Sequence, residues 1–265
     1  MSADPRGRML ACATPDGDIA EGALWLAADD GLDCEPRRWL SLLDEVGTEL
    51  RGRCHHRHPL EAVPVIAQLL RERLHLRGAG GGDPRTHYLH TVMERGCGVP
   101  IACSAIWIAV GRRAGLQVEG VGLPGRFVVR VGGALVDPFA GGEVLDEAAA
   151  RLLVAGVLGA PPNALDPAWL GATSPRTMLT RMSRNLRGCY ASLERWNEAL
   201  RAADRCVVLA PDEPMDRRDR GLLHWRLGHH GEALEDLTAY LAATPEAGDR
   251  ASVGGVIQRV RAALN

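Results

Sequence analysis

The sequence predicts a mostly helical α+β chain, and three observations carry that prediction. Apolar residues recur at helical spacing from 19 to 77. An almost wholly apolar stretch at 98 to 116 is followed by a strand and a hairpin turned on two glycines. The C-terminal part of the chain repeats itself.

In the first region, "EGALWLAADD", "PRRWLSLLDEVGTEL" and "PLEAVPVIAQLLRERL" each space their apolar residues three and four apart, so three helices are expected. "RGAGGGDPR" at 77 to 85 interrupts the pattern, because glycine admits unusual backbone angles and Pro84 can open a new helix. A short helix over 84 to 95 follows. "GVPIACSAIWIAVGRRAGL" is apolar on nearly every face, which fits a buried central helix closed by Gly115 as a left-handed cap.

"QVEGVGL" then reads as a strand. In "GLPGRFVVRVGGALVDPF", 122 to 139, alternating Phe127, Val129 and Val131 lead into Gly132-Gly133 and return through Ala134, Leu135 and Val136. That is the pattern of two antiparallel strands on a two-residue turn. Arg126 and Asp137 fall near the same end of this ladder. Such a cation and carboxylate can be a catalytic pair, a substrate clamp or a salt bridge.

"APPNALDPAWLGATSP" is rich in proline and small residues and reads as a linker. Beyond it, "YASLERWNEALRAADRCVVLAP" lies over "HWRLGHHGEALEDLTAYLAATP", with Ala199 over Ala233 and Pro211 over Pro245, 34 residues apart. The expected organisation is a helical region over 1–80, an α+β core over 81–160, a linker over 161–175, and two repeats with a terminal helix over 176–265.

Composition narrows the class of function. A net charge of -2 gives no electrostatic case for a nucleic-acid partner. No apolar run approaches the roughly 18 residues of a membrane span, so no membrane partner is expected either. The N-terminal residues lack the apolar core of a signal peptide, and the seven cysteines are scattered without a CxxC pair. A cytoplasmic location with free thiols is therefore expected. All 31 basic residues are arginine, which excludes a lysine nucleophile or Schiff base.

The repeat period, the small residues Ala199, Ala233 and Gly221, Tyr190 and the closing prolines resemble the tetratricopeptide repeat. Together with "DPRTHYLHTVMERGCGVPIACS", "GVGLPGRFVVRV", "LVDPFAGGEVL", "RMSRNLRGCY" and "RDRGLL", they make the chain, over about 20 to 250, resemble the bacterial SirB-type proteins. The resemblance implies a papain/transglutaminase-like core with a small antiparallel sheet, followed by α-helical repeats. It also implies a layout for chemistry: a cysteine at the head of the central helix, a histidine on the next strand and an aspartate on the strand after it.

Matched to that layout, Asp137 in "VDPF" holds the aspartate position. Arg126 stands in "PGRF" where the SirB pattern has the histidine of "PGHF", and the cysteine position falls near Pro100. Arginine cannot serve as a general base near neutral pH, and proline offers no nucleophile. The candidate catalytic residues are thus Asp137, with Cys97 before the helix and Cys103 one turn inside it as the available thiols. Arg126, Arg85, His87 and His90 are candidates for lining a relic or substrate-binding cleft.

His87, His90, Glu94 and Cys97 would share one face of a continuous helix and are all metal-ligand types. "RCHHRH" at 53 to 58 also gathers such residues, but without the spaced pairs of a zinc site, and reads as a solvated loop. Asp83, Arg85, Asp219 and Arg220 can form an anion clamp, or caps and salt bridges.

The first reading is a non-catalytic transglutaminase-like scaffold that binds a protein or peptide partner through its repeats, with no cofactor. The alternatives are a cysteine-dependent acyl transferase or hydrolase with a rearranged site, and a metal-dependent enzyme using His87 and His90. The triad is incomplete in every case, and the sequence leaves the substrate and the oligomeric state open.

Overall fold

A computed structural model describes residues 4–55 and 57–264, and its fold is the expected α+β, mostly helical one. Among the described residues no helix is long and apolar enough to cross a membrane. The chain divides into two compact units, 1–179 and 180–265.

The first unit opens with α1 (Pro5–Ala11), a short helix that the apolar pattern does not announce. The three expected helices follow as α2 (Ile19–Asp29), α3 (Pro36–Arg53) and α4 (Ala62–Leu74). Asp18 caps α2 by accepting from the amides of Ala20 and Glu21, satisfying donors that a helix start leaves open. His58 caps the 3-10 turn ahead of α4 through its Nδ1; His56 lies outside the described residues.

The single helix expected over 84 to 95 is instead two pieces. A 3-10 turn covers Pro84–Thr86, Tyr88 is extended, and the α-helix α5 covers only Leu89–Arg95. The Asp83 carboxylate caps the 3-10 turn on the Arg85 amide, and the extended Tyr88 restarts the backbone, so His87 and His90 do not share one helix. Gly96 closes α5 at φ 70°, where a Cβ would sit 2.7 Å from the His75 carbonyl oxygen. Two residues on either side of α5, β1 (Arg77–Gly78) and β2 (Cys97–Gly98), pair in parallel.

The central helix α6 (Pro100–Arg113) is buried along nearly its whole length, from Ile101 to Gly111, and Gly115 takes the left-handed cap at φ 84°. It packs against α2 and α3 on one side and against the sheet on the other. That sheet runs β3 (Val118–Leu123), β4 (Arg126–Val131), β5 (Ala134–Asp137) and β6 (Glu143–Leu145), all antiparallel and in sequence order. Gly132 and Gly133, at φ 56° and 89°, make the two-residue turn.

Val128 is as deeply buried as Phe127 and Val129, which simple alternation does not predict. The reason is a second layer. The helix α7 (Glu147–Leu158), capped by Asp146 and ended by Gly159, joins Val121, Leu123, Val128 and Leu145 in an apolar cluster through Ala150 and Val154. The proline-rich stretch then crosses the same face: Leu165, Trp169 and Leu170 pack on this cluster, Ala172 bridges Val121, and the Thr173 amide donates to the Gly120 carbonyl at 2.8 Å.

The boundary between the units falls inside α8 (Pro175–Ser192). The second unit continues with α9 (Trp196–Leu209), α10 (Pro214–Arg226), α11 (His230–Ala243) and α12 (Arg250–Leu264). Ala199 and Ala233 are fully buried, and a Cβ at Gly221 would meet Leu237 at 2.9 Å, so the small residues are where helices approach most closely. The final helix α12 completes the core of the second repeat with Val253, Val256, Ile257 and Val260 against Leu237 and Tyr240.

Candidate functional site

The site is the meeting point of the head of α6, the start of β4 and the end of β5. At the head of α6, Val99 is the extended N-cap residue and offers no side-chain cap, and Pro100 is the first helical residue. The proline ring has no reactive atom to offer at the helix head.

Asp137 closes β5 and also caps the 3-10 turn Pro138–Ala140, its Oδ1 accepting from the Phe139 amide at 2.9 Å. Its Oδ2 lies 3.6 Å from Nε of Arg126, and the carboxylate is almost wholly buried while Arg126 keeps some exposure. The guanidinium also rests over the Phe139 ring, 4.4 Å from its centroid. Burial pushes the Asp137 carboxyl above the ordinary aspartate range, and the Arg126 charge and the Phe139 and Ala140 amides act against that rise.

Cys103 lies beneath the short parallel pair, its Sγ 3.4 Å from the Gly98 carbonyl oxygen and 3.8 Å from that of Arg77. It has no exposed surface, and burial pushes its thiol up to about 12, with the nearby charge of Asp137 and Cys97 adding to the effect. Such a thiol stays protonated. Cys97, on β2, is half-buried and is the more accessible of the two.

His87 and His90 go to different places. The His87 ring donates from Nε2 to the Gly81 carbonyl at 2.9 Å, while its Nδ1 is buried without a partner; burial lowers its pKa, so the ring is neutral. Gly81 fits between this ring and Val99, which places His87 near the head of α6. His90 instead packs beside Trp39 and Tyr88, with Nε2 on the Thr91 hydroxyl, and burial lowers its pKa too. Among the described residues no three His, Cys, Asp or Glu side chains gather as a metal centre. The shared helical face on which the metal reading of His87, His90, Glu94 and Cys97 depended is absent for the reason given above.

Arg85 is exposed and turned onto Asp83, 2.9 Å away, rather than toward Asp137. Asp219 and Arg220 also form local pairs: Arg187 reaches Asp219 at 2.6 Å, and Arg220 reaches Asp236 at 2.6 Å and Asp204 at 3.3 Å. The structure thus brings together Arg126, Asp137, Cys103 and Cys97, and leaves Arg85 and His90 outside. Sequence reasoning missed Phe139, the platform under Arg126, and Gly78, where a Cβ would strike the Phe139 carbonyl oxygen at 2.6 Å. The available signal for both was a glycine and an aromatic flanking motifs already singled out, but only the folded chain opposes them.

The model of the transglutaminase-like superfamily matches residues 37–184, and that of a tetratricopeptide repeat matches 186–258. The chain belongs to the transglutaminase-like superfamily. Within it, it is of the SirB type, a transglutaminase-like domain followed by tetratricopeptide repeats.

A UPF0162 protein of Pseudomonas aeruginosa is 31% identical over 232 residues, 84% of each chain. A UPF0162 protein of Xylella fastidiosa is 43% identical over 169 residues, 62% of this chain and 60% of the relative. Protein SirB1 of Salmonella typhimurium is 24% identical over 164 residues, 60% of each. The chain thus spans about 60% of the length of the Xylella relative that it matches. No solved structure matches it.

Proposed function

We propose that this protein is a transglutaminase-like scaffold that does not use Cys-His-Asp catalysis and acts in the cytoplasm by binding a protein or peptide partner through its repeats. The observation that carries this reading is the ion pair of Arg126 with buried Asp137, in a chain whose central helix opens on Pro100. Where the family layout needs a base and a nucleophile, the chain has a permanent cation already committed to the carboxylate, and a proline. Tetratricopeptide repeats commonly offer a groove to extended peptides or helices, which supports a binding role.

Binding is tested by retaining partners on the tagged full-length chain and identifying them by mass spectrometry. A partner kept by the full chain and lost when exposed repeat residues are changed supports the reading. Recovery that is indifferent to the repeats counts against it.

The competing reading, an acyl transferase or hydrolase, requires a reactive thiol at Cys97 or Cys103. Time-resolved alkylation of the native protein near pH 6 is expected to label every cysteine slowly, with Cys103 and Cys206 slowest, because both thiols are pushed up to about 12 and have no exposed surface. Rapid labelling at Cys97 or Cys103 would revive the enzyme. Arg126→His restores one missing role, yet no hydrolysis of acyl or amide substrates is expected from it, since Pro100 still supplies no nucleophile.

A further inference from the structure

We propose that a cavity in the second repeat seats one bulky, uncharged apolar side chain of a peptide partner; the proposal rests on the reading of the repeats as a binding unit and says what they bind. The cavity, of about 570 Å³, opens where the start of α10 and the end of α11 meet the 244–249 segment that leads into α12. That volume is typical of a ligand pocket and exceeds what one side chain fills.

Its lining follows from the local sequence. Tyr240 lies in the last turn of α11 and is 2% exposed, so its ring is a fixed surface of the cavity. Met215, the second residue of α10, is 42% exposed and supplies a flexible thioether that can adapt to guests of different shape. Gly248 contributes no side chain, and a Cβ there would meet nothing within 4 Å. The cavity is open where the chain is smallest.

The polar side chains of the lining select the occupant, because nearly all are engaged with one another. Arg218 donates from Nε and Nη2 to Asp219 at 2.9 and 2.7 Å, and from Nη1 to Asp249 at 2.9 Å. The Tyr240 hydroxyl donates to the other Asp249 oxygen at 2.6 Å, and the Thr244 hydroxyl donates to the Tyr240 carbonyl at 2.7 Å. A charged or polar guest would shed its water and find no free counterpart inside, whereas an apolar guest gives up nothing.

Glu246 is the exception. It is exposed, lines the same cavity, and among the described residues has no hydrogen bond or ion pair. Its carboxylate can accept from the backbone amides on either side of the guest residue and repels acidic flanks. A peptide whose apolar side chain has neutral or basic neighbours therefore fits both parts of the site.

The test uses the full-length chain with carbon-13 methionine methyls, and the N-acetyl amides of leucine, phenylalanine, aspartate and lysine as probes. The leucine and phenylalanine amides are expected to shift the Met215 methyl saturably, while the aspartate and lysine amides do not. Met9, Met93, Met178 and Met182 are buried, so their methyls should stay in place. Gly248→Leu, which fills the open space, is expected to weaken the leucine amide at least about tenfold, and Gly248→Ala to keep it within about threefold. Should Gly248→Leu lower the unfolding temperature, Met215→Glu decides instead. An acid is favoured in the first turn of a helix, and the variant should weaken the same probe about tenfold, read from the probe's own signals.

A Met215 methyl that no probe moves, charged amides that bind as well as apolar ones, or wild-type affinity in both Gly248→Leu and Met215→Glu would each overturn the proposal. A partner retained through exposed repeat residues by wild type and by Gly248→Leu alike would overturn the cavity alone and leave the repeat reading standing. Failure of the repeat reading would show differently, as no retained partner while the methyl shifts persist.

Discussion

Arg126→Ala is expected to destabilise the transglutaminase-like unit by about 3 kcal/mol at neutral pH, because it leaves a buried carboxylate without its cation. Asp137 is 2% exposed on its side chain, and the guanidinium lies 3.6 Å from it. The sign of the pH dependence follows from the direction of the shift. The Asp137 carboxyl is already raised by burial, so in the folded chain its ionisation costs stability. That cost is absent below the unfolded aspartate pKa, grows as pH rises between the unfolded and folded values, and is complete above the folded one.

Without Arg126 the folded pKa rises further, so the loss of stability relative to wild type should be small in acid and large at pH 7. Hydrogen exchange of the β4 and β5 amides is the measurement. Asp137→Asn keeps an acceptor for the Phe139 amide but removes the charge, so Arg126→Ala should cost much less in that background. Equal losses in the two backgrounds would show that the pair does not couple.

Asp216→Ala should cost the repeat unit a similar amount, about 3 to 5 kcal/mol. The Asp216 side chain is 2% exposed and accepts from Arg184 Nε and Nη2 at 3.0 and 2.7 Å and from Arg187 Nη1 at 2.9 Å. One carboxylate thus bridges two arginines brought over from α8, with charge-assisted bonds and a forked pair from Arg184. Removing it takes away the carboxylate the two cations share, leaving Arg187 on Asp219 at 2.6 Å and Arg184 near Glu213 at 3.7 Å. The effect should appear as faster proteolysis of 180–265 under native conditions, with the 1–179 unit unchanged. Cleavage at the wild-type rate would mean that the arginines find solvent at little cost.

The parts of this fold that were legible in the sequence are those in which a local signal and the tertiary requirement coincide. The α6 stretch is apolar on every face because it is enclosed on every face, and Gly132-Gly133 can take the positive φ values that the hairpin turn demands. The repeats are legible because Ala199, Ala233 and Gly221 recur where helices touch. The failures are those in which long-range contact decides. Nothing local marks Tyr88 as extended, and the two-residue pairing of β1 with β2 joins segments separated by a helix.

The helix α7 buries only Ala150 and Val154 and leaves Leu152, Val157 and Leu158 exposed, so its apolar spacing is a poor guide even though Asp146 and Gly159 frame it. At the site, the roles of Arg126, Asp137 and Pro100 came from the family resemblance. The stacking of Arg126 on Phe139 came only from the fold.

The proline-rich crossing over the sheet has a consequence for how the chain avoids its own kind. With strand order β3-β4-β5-β6, β3 is an outer strand, and the Val121–Ala172 bridge with the Thr173 bond to Gly120 occupies the middle of its free rim. Proline, glycine and alanine form poor templates for further strands, so the crossing caps the rim without offering a new one. A fragment ending near 160 would bare that rim and remove Leu165, Trp169 and Leu170 from the apolar cluster of Val121, Leu123 and Val128. It should therefore self-associate, even with every residue of the candidate site still in place.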